Sequence, residues 1–285
     1  MWFAELRDLL RGASGGFLFG IPLLYTVELW SIGSLAQSSL LLTVLAATFG
    51  VVLVLTQTQG FRRTLTLNPL DAVLESIEAL GLGIVCAAIA LVLLQRITLE
   101  TPLSETLGKL TFEAVPFALG VALARSTLSR DRSATPTRRI IPRPERLDSP
   151  TLATLRDALA DFDATLLGAV ITAFSIAPTE EIPLLAAAIP ALWLLLIMAA
   201  SLLVSYAIVF ASGFSDRALR RQQGRLLSPV TETLAAYLVA LAASVIMLVF
   251  FQQLSPQDPW QEWLSDTIVL GFPAAIGGAA GRLLI

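Results

Sequence analysis

Long apolar runs separated by short polar or basic segments are the dominant pattern of this chain. A run of about 20 apolar residues can cross the hydrocarbon layer of a membrane as a helix. Eight such runs occur, near residues 14–34, 38–57, 72–95, 108–125, 164–187, 189–212, 230–252 and 266–284. We therefore predict an all-α, polytopic membrane protein with about eight transmembrane helices. Because the connections after residue 34 and around Pro190 are very short, seven spans with one re-entrant pair is the nearest alternative.

Similar residues recur at matched positions in the two halves of the chain, which predicts an internal duplication. The segment LRDLL at 6–10 recurs as LRDAL at 155–159, and Gly16 and Glu28 recur as Gly168 and Glu180. Near the end of each half, five residues recur at one constant offset: Pro102, Glu105, Pro116, Gly120 and Arg125 match Pro259, Glu262, Pro273, Gly277 and Arg282. We predict two parallel four-helix repeats, 1–125 and 151–285, joined by an Arg- and Pro-rich cytoplasmic linker at 126–150.

The distribution of charged residues along the chain predicts the orientation of these spans in the membrane. Only 14% of the 285 residues are charged, against about 25% in an ordinary soluble domain. With eight spans, 17 of the 19 basic residues fall on one side of the membrane. Because cytoplasmic loops collect Lys and Arg, we predict that both termini lie in the cytoplasm. The basic linker is expected to contact anionic lipid, and without interleaved aromatic residues it does not predict nucleic-acid binding.

The composition also limits the chemistry that the chain can perform. The chain contains no histidine, which excludes His-ligated zinc or haem and His-based catalytic triads. The single cysteine, Cys86, excludes an internal disulfide and any multi-cysteine metal site. We therefore expect no enzymatic activity and no cofactor. Any proton handling must run through carboxyl groups.

Six glutamates fall inside the apolar runs: Glu28, Glu75, Glu78, Glu113, Glu180 and Glu181. A charged acid at the centre of a membrane helix costs about 2.5–3.5 kcal/mol, so each needs a partner, a cavity or a proton. Glu28 and Glu180 occupy equivalent positions in the proposed repeats, where a pseudo-twofold axis could bring them face to face. No role follows from the sequence for Glu113.

The residues around these two acids predict a site rich in oxygen ligands. Pro178 and Pro183 flank Glu180 and Glu181, so the helix is expected to break there. The three carboxylates, together with the hydroxyls of Tyr25, Thr26 and Thr179, would suit a hard cation such as Ca²⁺, Mg²⁺ or Na⁺, or proton carriage. The alternative is that these acids reach water at the outer ends of their spans. The sequence does not identify the metal.

A second acidic stripe runs along the inner part of the third span. Asp71, Glu75 and Glu78 follow the i, i+4, i+7 spacing of one helix face. They could form an inner exit for a cation, or they could cap the helix and lie in the solvated inner leaflet. At the other end of the spans, Lys109 and Asp266 occupy equivalent positions and could pair across the axis.

These features favour a transporter or channel for a small cation, with the intramembrane glutamates as ligands or proton carriers. The alternative is a non-transporting scaffold or assembly factor that acts through the basic linker. The eight-span duplicated pattern, with Glu28 after Tyr25-Thr26 and the segment PTEEIP at 178–183, resembles an uncharacterised family of bacterial multi-pass integral membrane proteins. That resemblance implies a location in the bacterial plasma membrane and no particular activity. The sequence does not determine the oligomeric state.

Overall fold

The computed structural model describes residues 2–60, 69–128, 150–211 and 228–283. Within these ranges all regular secondary structure is helical, which confirms the predicted all-α fold. The helices are α1 (Trp2–Leu24), α2 (Val27–Leu35), α3 (Ser38–Gly60), α4 (Pro69–Leu93), α5 (Leu103–Leu128), α6 (Pro150–Ile176), α7 (Glu181–Ala188), α8 (Ala191–Tyr206), α9 (Pro229–Phe250) and α10 (Trp260–Gly281). A π-helical turn at Ala207–Ala211 continues α8.

Six of the described helices are long and apolar enough to cross a membrane alone: α3, α4, α5, α8, α9 and α10. The other two predicted spans are sharply bent pairs. α1 and α2 meet at 87°, and α6 and α7 meet at 91°. The described residues therefore hold six spans, or up to eight if each bent pair crosses once. The predicted spans near 14–34 and 164–187 are not continuous helices.

The first bend follows from packing that the sequence did not reveal. Thr26 is extended, with φ −91° and ψ 106°, and separates the last turn of α1 from the first turn of α2. Beyond the bend, α2 lies against α5, where Gly33 meets the backbone of Gly108 so closely that a Cβ on Gly33 would lie 2.8 Å from the Gly108 carbonyl oxygen. This contact requires α2 to turn away from the axis of α1.

The second bend contains the predicted break. The chain leaves α6 after Ile176 and re-enters a helix at Glu181, so Pro178 lies in the break itself. Pro183 is the third residue of α7. At that position a backbone N–H would have no acceptor within the helix, so proline is tolerated.

Two helices lie at the centre of the fold. α5 is surrounded by α1, α2, α3 and α4, while α10 is surrounded by α6, α7, α8 and α9. Every residue from Asp266 to Ala279 in α10 is buried. The duplication itself stays a prediction, as do the domain boundaries at 125 and 151. Residues 129–149 of the proposed linker lie outside the described part of the chain.

Glycines allow the outer helices to approach these central helices. A Cβ on Gly120 in α5 would overlap the Gly15 carbonyl of α1, and a Cβ on Gly277 in α10 would overlap Thr172 and the Gly168 carbonyl of α6. Close backbone contact matters here because burial from water supplies no drive between helices in lipid. The glycines of α1, α5, α6 and α10 therefore allow close contact between helix backbones.

α4 and α5 run antiparallel, since Glu78 meets Arg125 and the Arg96 carbonyl meets Lys109. α9 and α10 also run antiparallel, since Glu232 meets Arg282 and Leu241 lies at Gly271. The bundle therefore has two distinct ends. The end that holds Arg11, Arg125 and Arg282 is called the basic end. The opposite end, called the loop end, holds the connections at 25–26, 94–102, 177–180 and 251–259.

The two halves contact each other at a few specific points. α1 packs against α10 and against the π-helical turn. The Tyr25 hydroxyl donates a 2.6 Å hydrogen bond to the Val269 carbonyl oxygen of α10. The Trp193 indole Nε1 of α8 donates a 2.7 Å hydrogen bond to the Leu93 carbonyl oxygen at the end of α4. Side-chain hydrogen bonds thus join the halves at the loop end.

Candidate functional site

The three glutamates predicted to form a cation site lie at or next to the two bends. Glu28 is exposed in the first turn of α2, and Glu180 is exposed at the N-cap of α7. Glu181 is half-buried, with Oε2 buried and without a hydrogen-bond partner. Within the described residues, no group of three or more Asp, Glu, Cys or His side chains is arranged to hold a metal ion. A site shared by these acids therefore stays a prediction.

The hydroxyls assigned to that site have other partners or none. Tyr25 is buried and bonded to Val269 in α10, as described above. The Thr179 hydroxyl donates a 2.6 Å hydrogen bond to the Ile176 carbonyl oxygen, which closes the end of α6. Thr26 is the N-cap of α2 and makes no side-chain capping bond. Two of the three hydroxyls thus stabilise the bends.

The acidic stripe of α4 lies on the exposed side of its helix. Asp71, Glu75 and Glu78 are all exposed, and Asp71 lies in the first turn. Glu78 Oε2 is 3.0 Å from Arg125 Nη1 of α5, which makes it part of an ion pair at the basic end. The ion pair accounts for Glu78, while a role for the stripe as a cation exit stays a prediction.

At the loop end, Lys109 has partners within its own half. Its Nζ lies 2.5 Å from Glu105 Oε1 and donates a 2.9 Å hydrogen bond to the Arg96 carbonyl oxygen. The proposed pairing of Lys109 with Asp266 is replaced by these contacts, because Glu105 is one turn away on the same helix. The Arg96 guanidinium lies 5.1 Å from the centre of the Trp30 ring. Burial lowers the pKa of Arg96 from its ordinary value.

Glu113 of α5 is the most isolated acid in the described part of the chain. Its side chain has no exposed surface, and both carboxyl oxygens are buried without a hydrogen-bond partner. Moving a carboxylate into an apolar environment without compensation is very costly. The carboxyl group is therefore expected to be held as the neutral acid or to be neutralised by a bound cation.

Pro116 frees the backbone carbonyl oxygen of the residue that precedes Glu113. Proline has no N–H, so in α5 it cannot donate to the carbonyl oxygen four residues earlier, which belongs to Phe112. Pro273 has the same effect on the Val269 carbonyl of α10, and there the Tyr25 hydroxyl supplies the missing donor. Position 113 of α5 corresponds to Leu270 of α10 at the constant offset, so α5 alone has an acid next to its freed carbonyl.

The isolation of Glu113 was not predicted from the sequence, because Glu113 has no acidic counterpart in the other half of the chain. Reasoning from the repeat favoured matched acids, which led to Glu28 and Glu180. The available signal was its depth. Glu113 lies ten residues after Leu103 and twelve before Arg125, the ends of its span, which places it near the middle.

The family model described as "putative integral membrane protein" (DUF2391) matches residues 8–285. No curated protein and no solved structure matches the chain. The family description agrees with the six long apolar helices and the two bent pairs of the structure. The chain therefore belongs to the DUF2391 family of integral membrane proteins.

Proposed function

We propose that this protein transports protons, or a small monovalent cation, across the membrane, and that Glu113 carries them. The observation that supports this most is the complete burial of a carboxyl group whose two oxygens have no protein partner. Acids inside membrane spans are costly and mark proton relays or ion paths. An acid with no structural partner is best explained by a ligand that comes and goes.

The depth of Glu113 supports a transport role. At 1.5 Å per residue, ten residues of helix place it about 15 Å from the end of the span at Leu103. The hydrocarbon core is about 30 Å thick, so Glu113 lies close to the midplane. Substrate and coupling-ion sites of secondary transporters lie near this depth. An acid at either end of the span could reach water, but one at this depth cannot.

The charge available at Glu113 favours a proton or Na⁺ over a divalent cation. Ca²⁺ takes six to eight oxygen ligands, and its affinity depends on how many of them are charged. Among the described residues no cluster of three acids exists. The single carboxyl group of Glu113 supplies one negative charge. That charge balances one proton or one monovalent cation.

The proposal is tested by flux measurements on purified protein in liposomes. A pH-sensitive dye and then a Na⁺-sensitive dye would be enclosed, with a membrane potential as the driving force. Glu113→Gln is expected to reduce flux by about tenfold or more, since a carboxamide is not a titrating acid. Glu28→Gln and Glu180→Gln are matched controls because both side chains are exposed. Wild-type flux in neither assay, or equal flux in wild type and Glu113→Gln, would overturn the proposal.

We also propose that the basic end faces the cytoplasm of a bacterium and contacts anionic lipid there. The support is the excess of arginine in the segments between the spans at that end. A reporter fused at the C-terminus, active only in the cytoplasm or only outside, tests the orientation. An external C-terminus would contradict it.

A further inference from the structure

A narrow cleft opens between α8, α9 and α10 near the basic end of the bundle. Its polar lining consists of Ser205, Thr233, Tyr237 and Arg282, and alanines from α9 and α10 complete the wall. The free space is comparable to one water molecule. All four polar residues are at least nine-tenths buried, at 5%, 5%, 4% and 4% exposure.

Three polar atoms of this lining have no hydrogen-bond partner. They are Ser205 Oγ, Tyr237 OH and Arg282 Nε, and each is buried. Ser201 lies near the Tyr237 hydroxyl, but the two do not form a bond of normal geometry. Buried polar groups in folded proteins almost always have a protein or water partner. Three buried atoms without a protein partner around one space indicate a site for a polar ligand.

Arg282 already has acidic partners, which excludes an anion as that occupant. Its Nη2 pairs with the Glu232 carboxylate of α9 and lies 3.9 Å from Asp161 Oδ2 of α6. Both acids are partly exposed, at 14% and 18% of their side chains. The guanidinium charge is therefore balanced twice over. The remaining Nε–H of Arg282 therefore needs a neutral acceptor. The partial exposure of the two acids indicates that water reaches this end of the bundle.

We infer that this cleft is a hydrated site that holds water between Arg282, Ser205 and Tyr237 and is filled from the basic end. A water molecule can accept from the Arg282 Nε–H and donate to the two hydroxyl oxygens, so it satisfies all three atoms at once. A cation would face the guanidinium, and an apolar ligand would leave the three atoms unsatisfied. Water is the neutral ligand that fits both the size and the polarity of the space.

The cleft reaches from Arg282 along α10 to Tyr237, where a Cβ on Gly271 would lie 4.0 Å from the Tyr237 hydroxyl oxygen.

Cysteine accessibility in lipid nanodiscs tests the hydration directly. The Cys86→Ala variant removes the one native cysteine. Ser205→Cys and Thr233→Cys would then be treated with hydrogen peroxide, which is close to water in size and oxidises a hydrated thiolate to the sulfenic acid. Matched controls are Ala240→Cys, which is fully buried in α9 away from the cleft, and Leu203→Cys, which is 71% exposed on the outer side of α8. We expect modification about tenfold faster at the two cleft positions than at either control.

Hydroxyl-radical labelling of the wild-type protein gives a second readout that needs no substitution. Tyr237 and Tyr25 are equally buried, at 4% and 3% exposure, but only Tyr25 has its hydroxyl bonded. A bound water predicts faster oxidation of Tyr237. Equal oxidation of the two tyrosines, or cleft cysteines as slow as Ala240→Cys, would overturn the hydrated site. Fast labelling without any ion flux would leave the site standing and contradict only the transport proposal.

Discussion

The hydroxyl of Tyr25, at the bend of the first helix pair, donates its hydrogen bond to the backbone carbonyl of Val269 in α10. That carbonyl is free because Pro273, four residues later, has no N–H to offer. A side chain of the first half thus supplies the hydrogen-bond donor that a backbone carbonyl of the second half lacks. It also fixes the first bend to the most buried helix of the structure.

A double-mutant cycle should detect the coupling between Tyr25 and Pro273. Tyr25→Phe removes the donor and leaves the Val269 carbonyl buried without a partner, which is expected to cost about 1–3 kcal/mol of unfolding free energy. Pro273→Ala restores a backbone N–H at the position that normally bonds Val269. In that background Tyr25→Phe should cost much less. Unfolding in mixed detergent would measure all four variants.

If Tyr25→Phe costs the same with Pro273 and with Ala at that position, the hydroxyl does not compensate for the proline. The two residues would then contribute to stability independently.

Close packing of α1 on α5 should make Gly120 sensitive to a single methyl group. The Cβ of Gly120→Ala would overlap the Gly15 carbonyl, and neither backbone can move aside easily. We expect a loss of about 1–3 kcal/mol, typical of overpacking. Gly81→Ala is the matched control, since a Cβ there meets nothing within 4 Å, and alanine is the better helix former. A stability loss at Gly81 equal to that at Gly120 would contradict the packing argument.

The ion pairs of Arg282 and Arg125 at the basic end should differ in their contribution to stability. Arg282 is 2% exposed and faces two acids that are only 14% and 18% exposed, so Arg282→Met leaves two largely buried carboxylates without a cation and is expected to cost about 3–5 kcal/mol. Arg125 pairs with Glu78, whose side chain is 67% exposed. Arg125→Met, which removes that exposed pair, should cost about 0–1 kcal/mol. Thermal unfolding at low and high salt would compare the two variants, and equal losses would refute this ranking.

The buried carboxyl group of Glu113 should lower the stability of the protein while it supports transport. An unsatisfied buried carboxyl group costs about 1–3 kcal/mol, so Glu113→Leu, the residue found at the corresponding position of α10, is expected to raise the unfolding free energy. The same variant should abolish flux. Functional sites often carry this kind of cost. A Glu113→Leu protein that is less stable than wild type would show that the acid has a structural partner.

The sequence alone determined the class of fold, the approximate positions of the spans and the break around Pro178. These follow from apolar length and from proline chemistry, which act locally along the chain. Tertiary structure decided the bend at Thr26, because that bend depends on Gly33 meeting Gly108 and on a hydroxyl bond across 244 positions. It also decided which acid lacks a partner. Glu28 and Glu113 both lie in apolar runs, and only packing around α5 shows that one is exposed and the other wholly enclosed.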